Sequence, residues 1–308
     1  MSNLVVSIQP TFYCENNCPY CYLGKEIRNE QLLPIPEIEA RLNEISAVSK
    51  IGQIDLFGGE LDLLSLNYLT QLVKLCKQFT REVTISTGAR TGLCFSVARD
   101  EKIKIGISLN EERPNNKEAE DFLLRYKDCY KNISVLMVVL PSLLKKSPVE
   151  VCNYLQKFNL PVVFFRYLPA LNNNTYHIGI SKYISFIKEI YTWYKQQNNN
   201  PYTENPYTFP IISPNKDCLG SPLLSSNIFI FPDGKYGWVS YHNGLEYFKT
   251  VDELSIWKKE AVQEYKRYYK LCSKCPYFNN CLAEHLDLDT IERKGCLLPD
   301  LIKFLEWI

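Results

Sequence analysis

Three cysteines within eight residues, Cys14, Cys18 and Cys21, follow directly on the apolar run Leu4–Ile8. A buried strand that empties into a cysteine-dense loop restricts the chain to folds with a metal-holding loop at a strand end, such as the mouth of an α/β barrel. Three close thiolates suit an iron–sulfur cluster, because iron in such clusters takes soft sulfur ligands and a [4Fe–4S] cube needs one at each iron. With only three local cysteines, one iron keeps an open position at which a small molecule can chelate. A zinc knuckle needs a fourth nearby ligand, typically Cys or His, and neither follows before Cys76.

The chain after this loop alternates between two periodicities. Ile38, Leu42, Ile45 and Val48 mark one face of a helix, and Leu69, Leu72, Val73 and Cys76 mark another. Between them Gln53–Phe57 reads as a strand ending in Gly58, Gly59 and Glu60. Strands over 82–86, 103–108, 133–140 and 161–166 follow, separated by helices carrying Phe122, Tyr126 and Cys129, then Val151, Cys152, Leu155 and Phe158. Alternation of this kind implies parallel strands joined by crossover helices. The expected fold class is α/β: a partial (β/α)6 barrel over residues 1–170, with a smaller C-terminal α+β extension. In such barrels the working groups sit at the C-terminal ends of the strands. A helix near 181–197 and a polar, proline-rich stretch make 171–217 a connecting segment. The unit over 218–308 opens with a hairpin at 227–239, its turn at Pro232–Gly234, and a long helix near 251–269. Cys76, Cys129 and Cys152 fall on apolar helix faces and are expected in the core.

Composition narrows the function. A formal charge of +1 gives no global case for nucleic acid or anionic membrane, and the basic group at 266–270 reads as the solvated face of a helix. No apolar stretch approaches the roughly 20 residues that span a bilayer, and no secretory signal is visible. Twelve cysteines in 308 residues, clustered within a regular α/β pattern, favour metal binding over a disulfide scaffold. A cytoplasmic, oxygen-sensitive protein is expected.

The CxxxCxxC spacing, with Tyr22 following and Gly58, Gly59 and Glu60 after the second strand, resembles the signature of the radical S-adenosylmethionine (SAM) enzymes. The resemblance implies that Cys14, Cys18 and Cys21 hold a [4Fe–4S] cluster whose open iron chelates SAM. It further implies that Gly58, Gly59 and Glu60 receive the methionine amino group and that Tyr20 borders the adenine. Ser86, Ser108 and Asn110 are similar to the strand-end positions that hold the methionine carboxylate and ribose.

Near the C-terminus, Cys272, Cys275, Cys281 and Cys296 resemble the auxiliary-cluster half of the SPASM/twitch extension of that family. Four thiolates would saturate a second [4Fe–4S] cluster, although four-cysteine zinc fits the same spacing. Val239 and His285 stand where the full extension pattern has cysteines, so one auxiliary cluster is expected and the second is absent or altered. That loss leaves Cys218 free, with the role of donating a hydrogen atom to a substrate radical as its expected function. The resemblance implies reductive cleavage of SAM to a 5′-deoxyadenosyl radical that abstracts hydrogen from a substrate C–H bond. A ribosomally made peptide is the leading substrate. Epimerisation or dehydrogenation of an aminoglycoside-like sugar is the second reading, and a non-catalytic metal-binding scaffold the third. The implied partners are a low-potential donor such as flavodoxin or ferredoxin and a separate leader-binding protein for a peptide substrate.

Overall fold

The structure is a computed structural model that describes residues 4–167, 174–197, 206–208, 227–240, 244–260 and 298–307. Six strands, β1 (Leu4–Ile8), β2 (Ile51–Leu56), β3 (Val83–Thr87), β4 (Lys104–Ser108), β5 (Ile133–Val139) and β6 (Val162–Arg166), lie side by side in chain order. Every neighbouring pair among them is parallel. The crossovers carry α1 (Ile35–Val48), α2 (Leu66–Phe79), α3 (Leu93–Glu101), α4 (Asn116–Tyr126) and α5 (Pro148–Gln156), and α6 (Ile180–Gln197) follows β6. This is the partial barrel that the alternating pattern predicts.

The two faces of the sheet differ in chemistry. In β5, Ile133, Val135, Met137 and Val139 are buried and join the helix-covered core, while Ser134, Leu136 and Val138 point the other way, into a cavity. On the helices, Ile38, Leu42 and Ile45 of α1 and Leu69, Leu72, Val73 and Cys76 of α2 are fully enclosed. Each such aliphatic side chain contributes about 1.5–3 kcal/mol on burial. A closed β/α barrel fills its interior with bulky branched residues. Here the inward positions include Ser7, Thr84, Ser86 and Ser134, and the lumen stays open.

Two helix-face expectations differ in detail. Val48 is the last residue of α1 and is 66% exposed, because the apolar stripe rotates away from the sheet as the helix ends. Cys129, expected in the core, is exposed. α4 stops at Tyr126, so Cys129 falls in the following turn and leaves the helical register. Cys76 and Cys152 are buried.

The sheet does not end with the barrel. β7 (Tyr207–Thr208) adds to β6 in parallel, and β8 (Asn227–Ile230) pairs in parallel with the free edge of β1. β9 (Tyr236–Ser240) and β10 (Gly244–Phe248) continue from β8 as an antiparallel ribbon. The β8–β9 turn places Gly234 at φ +74°, where its Cα faces the Glu37 carboxylate so closely that a Cβ would lie 1.9 Å from Oε1. Glycine meets both demands. Tyr236 then donates from its hydroxyl to Glu44 Oε2 at 2.5 Å, with the Arg41 guanidinium over its ring. The expected helix near 251–269 is present over 251–260, and the rest of that span lies outside the described residues.

Candidate active site

The loop between β1 and α1 carries all three clustered cysteines. It is pinned at its base by Cys14 N–H donating to Ile27 O at 3.0 Å and Leu33 N–H to Pro10 O at 2.9 Å. Phe12, Leu23 and Ile27 pack against Phe231 of the hairpin beneath it, with the Phe12 and Phe231 rings edge to face at 5.7 Å. Within the loop, Cys21 N–H donates to Cys18 O and Gly24 N–H to Cys21 O. These turns bring Cys14, Cys18 and Cys21 to one wall of a cavity of about 1010 Å³. Tyr20, Gly58, Gly59, Glu60, Ser86, Ser108 and Asn110 line the same cavity, so the structure gathers every core position singled out from the sequence. Cys218, Cys272, Cys275, Cys281, Cys296 and His285 lie outside the described residues.

Gly58 and Gly59 do something more specific than leave room for a ligand. A Cβ on Gly59 would stand 2.0 Å from Tyr13 O, and one on Gly58, at φ +141°, would stand 2.6 Å from Thr11 O. The close approach is made by the cysteine loop's own backbone. Gly59 N–H donates to Thr11 O and Glu60 N–H to Tyr13 O, both at 2.9 Å. The two glycines therefore clamp the cysteine loop onto the end of β2.

Glu60 is 1% exposed and heavily engaged. Its Oε1 accepts from Thr87 Oγ1 at 2.5 Å and from the Asp62 and Gly88 amides. Its Oε2 accepts from Asn16 Nδ2 at 3.2 Å, Gly88 N–H at 2.9 Å and Arg113 Nη2 at 3.0 Å. The carboxylate that the sequence marks as an ammonium acceptor is thus a hub joining the cysteine loop, the end of β3 and the loop after β4. Asp62 is buried beside it and accepts from the Gly92 and Cys94 amides at 2.8 and 2.7 Å, capping α3. Cys94 is fully buried next to Asp62 and does not line the cavity. Burial first, and then the Asp62 and Glu60 charges, push its thiol well above the usual range.

Arg113 was not marked by any sequence signal. It sits in the loop after β4, lines the cavity, and pairs with Glu60 in a nearly enclosed ion pair. Burial alone would lower its pKa; Glu60 and then Cys18 outweigh that, so the guanidinium stays charged beside the thiols. Gly88 makes room for it, since a Cβ there would meet Arg113 Nη2 at 1.9 Å. Its position is set by Asn115 Oδ1, which accepts from Nε at 2.6 Å. The available signal was an arginine five residues past a strand end, a placement common in surface loops.

The remaining sequence-marked groups take definite places. Asn110 bridges strands, donating to Val138 O at 2.7 Å and accepting from Val138 N–H at 3.0 Å. Tyr20 belongs to a small aromatic cluster with Tyr167 and Tyr176, and its ring meets Tyr176 edge to face at 6.3 Å.

The donor set fits an iron–sulfur cluster. Asn16 N–H donates to Cys14 Sγ at 3.4 Å, the Leu23 and Gly24 amides donate towards Cys21, and Arg113 adds positive charge near Cys14 and Cys18. Such donors stabilise anionic sulfur. Burial holds all three thiols above their usual value, Cys21 at about 11, so a metal must displace their protons. Among the described residues no three Cys, His, Asp or Glu side chains are placed to hold a single metal ion.

Residues 8–143 match the model of the Radical SAM superfamily. No curated protein matches the sequence. Among solved structures, anSMEcpe with bound AdoMet and the Cp18Cys peptide is similar at a TM-score of 0.69 and 13% identity, over 99% of each chain. SuiB of Streptococcus suis bound to S-adenosylmethionine is similar at 0.64 and 14%, over 95% of this chain and 75% of that one. SuiB bound to precursor peptide SuiA gives 0.59 and 15%, over 76% and 58%. At these identities the likeness concerns the fold. The family match covers the stretch that carries the cysteine loop, the Gly58–Glu60 clamp and Arg113, and residues 8–143 are a radical SAM domain.

Proposed function

We propose that this protein is a radical SAM enzyme that acts on a ribosomally made peptide. The observation that carries the reading is the convergence of three thiols, the Gly58–Glu60 segment and the polar ends of β3 and β4 on one cavity. Cys14, Cys18 and Cys21 would hold a [4Fe–4S] cluster, and the backbone of Gly58 and Gly59 with Ser86, Ser108 and Asn110 would hold SAM. Bound together, cluster and SAM supply a carbon-centred radical able to remove hydrogen from an unactivated C–H bond.

The chain's own residues do the rest. Glu60 ties the cysteine loop to β3, so the thiols and the SAM-facing groups keep a fixed separation. Arg113 places a cation beside the thiols, where it offsets the cluster's negative charge and can receive a carboxylate. Tyr20 and Tyr167 supply apolar walls that exclude water from the radical's path. The peptide part of the reading draws support from anSMEcpe and SuiB, which have been crystallised with peptides.

The reading includes an auxiliary [4Fe–4S] cluster on Cys272, Cys275, Cys281 and Cys296, a hydrogen-donating Cys218, and the division at 170 and 217. It also includes a flavodoxin- or ferredoxin-type reductant, a leader-binding protein and a cytoplasmic setting. All of these rest on sequence alone. The test is to reconstitute the protein anaerobically, add SAM and dithionite, and measure 5′-deoxyadenosine and methionine. Wild type should form both, and Cys14→Ala, Cys18→Ala and Cys21→Ala should form neither. Folded, iron-loaded wild type that leaves SAM intact would end the proposal.

A further inference from the structure

The cavity does not stop at the cofactor end. It continues down the barrel lumen, past Asp55 and Thr84 to Gln53 and Asn227 near the opposite pole. Asp55 is the acidic side chain that lines this lower part. On a strand, alternate residues share a face, so Gln53, Asp55 and Phe57 all point inward from β2. Phe57 directly precedes Gly58. Asp55 therefore sits one inward position, roughly 7 Å of strand, below the cofactor-facing segment.

Its surroundings are polar, and Lys104 and Lys131 line the same lower part of the cavity. Gln53 Nε2 donates to Oδ1 at 2.8 Å, and Thr84, opposite it in the β2–β3 register, adds a hydroxyl hydrogen bond. Ser7 is opposite on the β1 side. Among the described residues no lysine or arginine forms an ion pair with Asp55. Lys104 is near enough to be felt, but its ammonium is bound to Glu82 at 2.8 Å. Asp55 is half-buried, and an ionised carboxylate facing such a cavity gains from a charged donor that reaches it. The facing wall is apolar: Leu136, Phe165, Phe229 and Trp238.

We propose that Asp55 anchors an amino group of the substrate, with the attached carbon skeleton lying along the apolar wall and rising to the cluster loop. This deepens the radical SAM reading and rests on it. The ligand class is an amine, met equally by a lysine side chain in a peptide and by an amino sugar.

The test uses anaerobically reconstituted holoenzyme and ligand-observed NMR titration with three probes: N-acetyl-lysine methylamide, N-acetyl-norleucine methylamide and glucosamine. Wild type should bind at least one amine probe about tenfold tighter than the norleucine probe, and Asp55→Asn should erase that preference. Asp55→Ser serves as a second variant should the first fold poorly, with iron content and thermal melting as controls. A preference for the lysine probe assigns the site to peptides, and one for glucosamine assigns it to amino sugars. Equal binding of all probes, no binding of any, or a preference that survives both substitutions would overturn the assignment. Cleavage of SAM by the same wild-type preparation is scored separately: its absence defeats the radical SAM reading, whereas cleavage without amine preference defeats only the role of Asp55.

Discussion

At the scale of single residues, the site is held by a buried charge pair rather than by the cysteines. Glu60 and Arg113 are both almost enclosed, and removing one partner of such a pair typically costs about 3–5 kcal/mol. Arg113→Ala should therefore lower stability by about that much in anaerobic urea unfolding, and the double variant with Glu60→Gln should lose less than the sum. Strict additivity would mean that the pair does not act as a unit. The glycines separate two kinds of damage. In Gly59→Ala the clash is with the Tyr13 and Phe12 backbone, so cluster incorporation should collapse. In Gly88→Ala it is with the Arg113 guanidinium and the Glu60 carboxylate, so SAM affinity should fall by more than iron content, which iron assay and SAM titration together would detect. These roles were only partly legible in the sequence. The thiols and Gly58–Glu60 stand out by spacing and by their place at strand ends. Arg113 does not, because a loop side chain acquires its target only when strands β2, β3 and β4 are side by side.

Elements show the same division between local and distant information. α1 and α2 follow from their apolar periodicity, but what starts α3 is not local. Gly92 precedes it without a side-chain cap, and Asp62, 32 residues before Cys94, caps it instead. Asp62→Ala should cost about 0.5–2 kcal/mol, readable as a lower melting temperature with α3 amides exchanging faster. Unchanged exchange there would contradict the capping role. Cys152 on α5 gives a pH signature. Burial pushes its thiol up to about 11 from 9.0. The unfolded thiol ionises first, so this contribution is whole below pH 9 and is lost as pH rises from 9 towards 11. The wild-type stability profile should fall over that window more steeply than that of Cys152→Ala; parallel profiles would show that the thiol is not the cause.

Across the whole molecule, the parallel β/α order is readable from the chain, whereas the docking of β8 on β1 is not. That pairing joins residues more than 200 positions apart, and no local pattern encodes a strand's partner at such a distance. Tyr236 holds the hairpin to α1 through Glu44. A hydrogen bond to a charged group is worth about 1.5–3 kcal/mol, so Tyr236→Phe should speed amide exchange in β8 and β9 while leaving β3 to β5 protected. The central claim is that the loop of Cys14, Cys18 and Cys21 presents an iron with an open position to SAM. Electron paramagnetic resonance of the dithionite-reduced, reconstituted protein tests it directly. Wild type should show a reduced-cluster signal that shifts when SAM is added, and the SAM-sensitive signal should vanish in the Cys14/Cys18/Cys21→Ala variant. A spectrum indifferent to SAM, or one that persists unchanged without the three cysteines, would contradict the account.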